Sequence, residues 1–71
     1  MTSERFQNWL DNFVKYLPTD NADLIPLYQG RINVTGEDKP ALNELDERYA
    51  TKDQIKRMWD VFSAYCDSHP L

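Results

Sequence analysis

Residues 51–68 read TKDQIKRMWDVFSAYCDS, and this stretch decides the fold class. Its apolar side chains recur every three or four residues, which places them along one face of a helix. Thr51 is a suitable N-cap, and Gln54 three residues later completes a capping box. Pro70 lies just beyond the other end. We therefore predict a helix over residues 52–68, with an apolar face made of Ile55, Met58, Trp59, Phe62, Tyr65 and Cys66.

The same periodicity occurs near the N-terminus. Ser3 can cap a helix there, because its hydroxyl accepts from an unpaired amide, and Pro18 disfavours helical backbone at the residue before it. The pattern predicts a helix over residues 4–16. Its apolar face comprises Phe6, Trp9, Leu10, Phe13, Val14 and Leu17.

A third helix is predicted over residues 39–49. Proline suits the first turn of a helix, so Pro40 fits that start, and Asp38 can cap it. The apolar side chains then follow at helical spacing. They are Leu42, Leu45 and Tyr49.

The chain between the first and third helices carries weaker signals. Asp23 and Gly30 could cap and end a short helix over residues 24–29. Residues 31–35 alternate with period two and contain β-branched side chains, which indicates a short extended stretch before the turn at Gly36. No partner strand is evident, so we predict no sheet.

These elements predict an all-α domain, a bundle of three to four helices spanning residues 1–71. A chain of 71 residues has room for one core only. It has a single cysteine, Cys66, which cannot form an internal disulfide, so we expect a reducing, cytoplasmic setting. No signal-peptide pattern and no apolar run of about 20 residues is present, and we expect no membrane insertion.

Negative charge is concentrated in one part of the sequence. Five acids and one lysine between residues 37 and 47 account for the whole net charge of −4. Such a cluster is either a solvated helix face or a contact surface for a basic partner. The acids are Glu37, Asp38, Glu44, Asp46 and Glu47.

The aromatic residues suggest a second contact surface. On a helical wheel, the apolar arcs of the first and last helices each span about 160°, which is wide for a small bundle to cover. We therefore expect rings at the arc edges to be partly exposed, at Tyr16 or Trp9 on the first helix and at Trp59 on the last. Such rings either anchor a protein interface or cover the margin of the core.

Residues with catalytic or metal-binding chemistry do not form a recognisable site. Cys66 and His69 are three residues apart, but His69 is the single histidine and a closed zinc site needs four ligands. Glu44 and Glu47 could share a proton only if their environment were unusual. The sequence predicts no enzyme activity, no metal and no cofactor.

The leading functional hypothesis is a non-catalytic protein interaction module, an adaptor or an inhibitor. Its partner would be another protein with a basic surface, and self-association as a homodimer is compatible with it. The alternative is a DNA-associated regulator with a helix-turn-helix around residues 48–51. The charges of the last helix argue against direct nucleic-acid binding, because they pair at spacings of three and four. They are Asp53, Lys56, Arg57 and Asp60.

Overall fold

Two long helices, a short helical connection and a pair of strands make up the fold. A computed structural model describes residues 4–17, 19–36 and 39–71. The elements in chain order are α1 (Glu4–Tyr16), a 3-10 segment (Thr19–Leu24), α2 (Ile25–Tyr28), β1 (Ile32–Val34), β2 (Pro40–Leu42) and α3 (Lys52–Ser68). The domain is mostly helical, but the strand pair means that the all-α prediction is wrong in this detail.

Both long helices match their predictions. α3 begins with the expected capping box, in which the Gln54 amide N–H donates to Thr51 Oγ1 (3.1 Å) and the Thr51 N–H donates to Gln54 Oε1 (2.9 Å). These two bonds satisfy amides that the first helical turn leaves unpaired. The proposed caps and stops at Ser3, Pro18 and Asp38 lie outside the described residues, as does Glu37.

The short helix α2 forms where a helix over residues 24–29 was predicted, but Asp23 does not cap it. The N-cap residue is Leu24, which makes no side-chain capping bond. At the other end Gly30 has a φ of 76°, and the Arg31 N–H donates to the Tyr28 carbonyl (3.0 Å). This is a type II turn, which requires a positive φ at its third residue and therefore favours glycine. Gly30 thus ends the helix as predicted and turns the chain into β1.

β1 pairs with β2 in an antiparallel two-stranded sheet, with Ile32 opposite Leu42 and Val34 opposite Pro40. The extended stretch predicted at residues 31–35 therefore exists, but the prediction of no sheet is wrong. Ile32 and Leu42 both point into the core and are buried. Shared burial on one face fixes this register, because a slip by one residue would expose both side chains.

The helix predicted over residues 39–49 is wrong. Pro40 lies in a strand, and Asp46 begins a turn in which its Oδ1 accepts from the Arg48 N–H (2.9 Å) and its carbonyl accepts from the Tyr49 N–H (3.0 Å). An aspartate that bonds the backbone two residues later competes with helix formation. The helix-turn-helix alternative relied on this helix, so residues 39–49 give it no geometric support.

The core is centred on Phe13, which is fully buried. Its ring packs edge-on against those of Tyr28 from α2 and of Phe62 and Tyr65 from α3, with centroids 5.0 to 5.9 Å apart. Aromatic pairs in this geometry stabilise each other beyond the burial of their area. The other buried residues are Phe6, Trp9, Leu17, Leu24, Ile32, Leu42, Leu45 and Met58.

Two hydrogen bonds from aromatic side chains hold the first half of the chain on α3. Trp9 Nε1 donates to the His69 carbonyl (2.6 Å), and the Tyr28 hydroxyl donates to the Met58 carbonyl (2.6 Å). Burial raises the pKa of Tyr28 well above its ordinary value. Its hydroxyl therefore stays protonated and remains a donor across the physiological pH range.

We expect Phe13→Ala to destabilise the domain by about 3–5 kcal/mol, because it leaves a cavity among four other rings. A loss of that size approaches the whole stability of a small domain. Urea unfolding followed by far-UV circular dichroism measures it. Val14→Ala is the matched control, since Val14 is the next residue and 40% exposed, and its effect should be below about 1 kcal/mol. Equal midpoints for the two variants would contradict the central position of Phe13.

Candidate protein-binding surfaces

The acidic loop, residues 43–49, joins β2 to α3. Glu44, Asp46 and Glu47 are all exposed in it. Among the described residues, the carboxylates of Glu44 and Glu47 have no hydrogen-bond or ion-pair partner, whereas Asp46 is held by Arg48 (3.2 Å). The Arg31 guanidinium reaches only the Glu44 carbonyl, at 3.4 Å. The loop therefore presents two unneutralised negative charges on an ordered turn.

A shallow hollow lies where α3 meets β2. Trp59 is 38% exposed and lines it together with the β2 residues Pro40, Ala41 and Leu42, enclosing about 470 Å³. This surface, the Trp59 hollow, agrees with the expectation that Trp59 stays partly exposed at the edge of its helix. β2 runs from the hollow directly into the acidic loop, so the chain connects the two surfaces without an intervening element.

Tyr49 belongs to the acidic loop and is a surface aromatic that the sequence analysis missed. Its side chain is 64% exposed, and the Arg48 guanidinium lies 5.7 Å from its ring centroid. Helical spacing had assigned Tyr49 to a core face that does not form. Asp46, three residues before Tyr49, is the signal that could have revealed it. Aspartate favours turns, so it indicates that the predicted helix is interrupted there.

The edge aromatics of α1 differ from one another. Tyr16 is exposed and lies against Tyr65, at 4.9 Å between ring centroids, whereas Trp9 is only 6% exposed. α3 covers the Trp9 side of α1, where the rings of Phe62 and Tyr65 pack edge-on against the indole. The expected exposure is therefore met at Tyr16 and is wrong for Trp9, whose contact with a partner would need a rearranged core.

A groove between α1 and α2, which sequence reasoning did not identify, encloses about 500 Å³. Val14 from α1 and Ile25 from α2 are both exposed along it. Ile32, the first residue of β1, also lines it. The uncovered part of the apolar arc of α1 therefore faces this groove.

Of the four charges of α3 expected to pair, Asp53 and Arg57 do so, whereas Lys56 and Asp60 make no ion pair among the described residues. The Arg57 guanidinium binds both carboxylate oxygens of Asp23 (2.7 and 3.2 Å) and one of Asp53 (3.0 Å). It also donates to Asn21 Oδ1 (3.2 Å), and Gln54 donates to Asp23 (3.1 Å). This network fixes the 3-10 segment to the start of α3. It also neutralises the Arg57 guanidinium, so its positive charge is not available to bind a nucleic-acid phosphate.

Two kinds of candidate chemistry arise from the sequence, the Cys66 thiol and a metal site. Cys66 is half-buried, and burial, together with the charge of Asp67, raises the pKa of its thiol, which disfavours the nucleophilic thiolate. No three described residues among His, Cys, Asp and Glu form a group that could hold a metal ion. Within the same residues, no helix combines the length and apolar character that crossing a bilayer requires.

Comparison of the chain with protein-family models, with curated protein sequences and with solved structures finds no match. Function must therefore be inferred from the surface chemistry of the chain itself.

The Asp23–Arg57 pair predicts a dependence of stability on pH. Hydrogen bonds from Arg57, and then from Gln54, lower the pKa of Asp23 from 3.8 to about 2. Because the folded state holds this carboxylate ionised, its stabilisation is complete above the unfolded pKa and is lost as pH falls through the folded one. We expect the free energy of unfolding to decrease between about pH 4 and pH 2, and Asp23→Asn to remove that part of the decrease.

Urea unfolding at a series of pH values measures the effect. Asp20→Asn, which alters an exposed aspartate of the same segment, is the control and should keep the dependence of the unaltered protein. Parallel pH profiles for the unaltered protein and Asp23→Asn would contradict the role assigned to this pair.

Proposed function

We propose that this protein is a non-catalytic interaction module, an adaptor or an inhibitor, that binds another protein through the acidic loop and the Trp59 hollow. The observation that carries the proposal is the pair of unpartnered carboxylates, Glu44 and Glu47, on a turn that continues directly from the strand beside Trp59. Tyr49 extends the same loop with a second exposed ring. Cys66, a free thiol, suits a reducing compartment, and we place the interaction in the cytoplasm.

The two surfaces would contribute differently to binding. A tryptophan that is already held on one side by the fold loses little conformational freedom on binding, and tryptophan and tyrosine are frequent anchors of protein interfaces. Carboxylates on an ordered turn attract lysine and arginine side chains and speed association with a basic surface. The partner is therefore a protein with an apolar pocket or ridge flanked by positive charge.

The groups that hold the acidic loop in place support the contribution proposed for its charges. Asp46 uses Oδ1 to form the turn, so it positions the neighbouring Glu47 as well as adding charge. Leu45 is buried and anchors the middle of the loop in the core. The loop thus presents its charges from a fixed backbone, which lowers the entropy lost when a partner binds.

The test is a pull-down from cell lysate with the tagged protein and with the triple variant Glu44→Gln, Asp46→Asn, Glu47→Gln. The Asp46→Asn change retains a side-chain acceptor for the turn, so the loop should keep its conformation. We expect a protein captured by the unaltered bait to be lost from the triple variant and from Trp59→Ala, and its capture to weaken as salt is raised. Far-UV circular dichroism checks that both variants fold.

The matched control neutralises three exposed acids outside the loop, at Asp11, Asp20 and Asp60. It changes the net charge by the same amount and should leave capture intact. Equal loss with the control would mean that total charge alone matters, and undiminished capture by the triple variant would remove the acidic loop from the interface.

A further inference from the structure

Each strand of the sheet has an outer edge that faces away from the other strand. The positions of the hydrogen bonds between β1 and β2 show which backbone N–H and C=O groups point outward. The Asn43 N–H donates to the Arg31 carbonyl (2.8 Å), and the Thr35 N–H donates to the Lys39 carbonyl (2.9 Å). Bonded pairs alternate with non-bonded pairs in an antiparallel ladder. Ile32 and Val34 are therefore non-bonded positions, and their peptide N–H and C=O groups point away from β2.

The outer edge of β1 is open, whereas that of β2 is not. β2 packs against α3, and Pro40 lacks the N–H that an added strand would need. In the described part of the chain β2 is the element that packs most closely on β1, and no group bonds the outward peptide groups of Ile32 and Val34. β1 is three residues long, Ile32-Asn33-Val34, and has no lysine, proline or bulge, which are among the features that block such an edge.

We infer that β1 pairs with β1 of a second copy of this chain, which gives a two-fold dimer with a continuous four-stranded antiparallel sheet. The two-fold axis passes between the two Asn33 residues. Ile32 then lies opposite Val34 of the second copy, and the reciprocal pair is identical. Both pairs use the outward peptide groups, so each forms two backbone hydrogen bonds.

The side chains of β1 suit this register. Val34, which is 38% exposed, comes to lie opposite Ile32 of the second copy on the same sheet face and extends the apolar surface there. Arg31 lies opposite Thr35 of the second copy, so the pairing brings no like charges face to face. The acids at residues 44, 46 and 47 follow β2, the strand away from the axis. A second copy therefore meets an edge that is self-complementary in backbone hydrogen bonding and that opposes no like charges.

Cysteine cross-linking tests this register directly. In the proposed dimer the two Asn33 residues form a non-bonded pair with Cα atoms about 4.5 Å apart, within the range of a disulfide. Asn33→Cys, placed in a Cys66→Ala background, should form a disulfide-linked dimer under mild oxidation without denaturant. The Asn33 side chain is exposed, so the substitution should leave the fold unchanged.

Val34→Cys in the same background is the control. Its equivalent in the second copy is diagonal to it, about 7–8 Å away, which is too far for a disulfide. This variant should form no disulfide-linked dimer under the same conditions. A monomeric Asn33→Cys variant, or equal rates of cross-linking for the two variants, would overturn the proposed pairing.

Light scattering on the unaltered protein gives an independent measurement. Its average mass should rise from 8.4 kDa toward twice that value as the concentration approaches about 1 mM, the regime of a weak dimer. Val34→Lys adds a charge to the open edge and should stay at the monomer mass. An unaltered protein that remains monomeric throughout would show that a second copy does not occupy this edge.

Discussion

The contact between the Phe13 ring and the aromatic rings of α2 and α3 is the interaction around which the domain is arranged. With one ring filling the point where the three helices meet, α1 must lie on α3 along the side that carries Trp9. The far edge of the apolar arc of α1, which carries Val14, then stays exposed along the α1–α2 groove, and Tyr16 on the Trp9 edge stays exposed although its ring lies against Tyr65. A chain of this size cannot enclose both sides at once, so a core centred on Phe13 leaves apolar surface outside it.

The less regular half of the molecule depends on a few buried side chains. Leu42 and Leu45 reach the core from the strand and from the acidic loop, and between them the backbone runs without helical bonds. The Asp46 turn and the Thr51 capping box then define where the loop ends and α3 begins. The exposed groups of the acidic loop therefore stand on a backbone held at both ends.

The two long helices could be predicted from the sequence because their signals are local. Apolar spacing and the Thr51–Gln54 capping box lie within one stretch of chain and need no knowledge of the rest. The region from Pro40 to Tyr49 could not be predicted in the same way. Leu42, Leu45 and Tyr49 have helical spacing, yet β2 forms because Leu42 pairs with Ile32, ten residues earlier. Pro40 is compatible with a first helical turn and with an edge strand, so it does not distinguish them.

The candidate surfaces likewise include some features that local sequence predicts and others that it does not. Exposure at Trp59 and Tyr16 follows from the width of the helical arcs, but Trp9, on the same edge of α1 as Tyr16, is buried because Phe62 and Tyr65 pack on its indole. The α1–α2 groove and the open edge of β1 arise from the way different elements pack and pair with one another. Such features need the three-dimensional arrangement, because periodicity within one element carries no information about its neighbours.

We propose that the acidic loop and Trp59 together form the binding surface, and NMR titration with a lysine-rich peptide can distinguish this surface from the other acids of the protein. The two tryptophans give separate indole signals, and Trp9, which is buried and bonded to the His69 carbonyl, serves as an internal reference. We expect shifts concentrated at residues 43–49 and at the Trp59 indole, with the Trp9 signal unmoved. Shifts spread evenly over acids elsewhere, such as Asp11, Asp20 and Asp60, with the Trp59 indole unaffected, would contradict it.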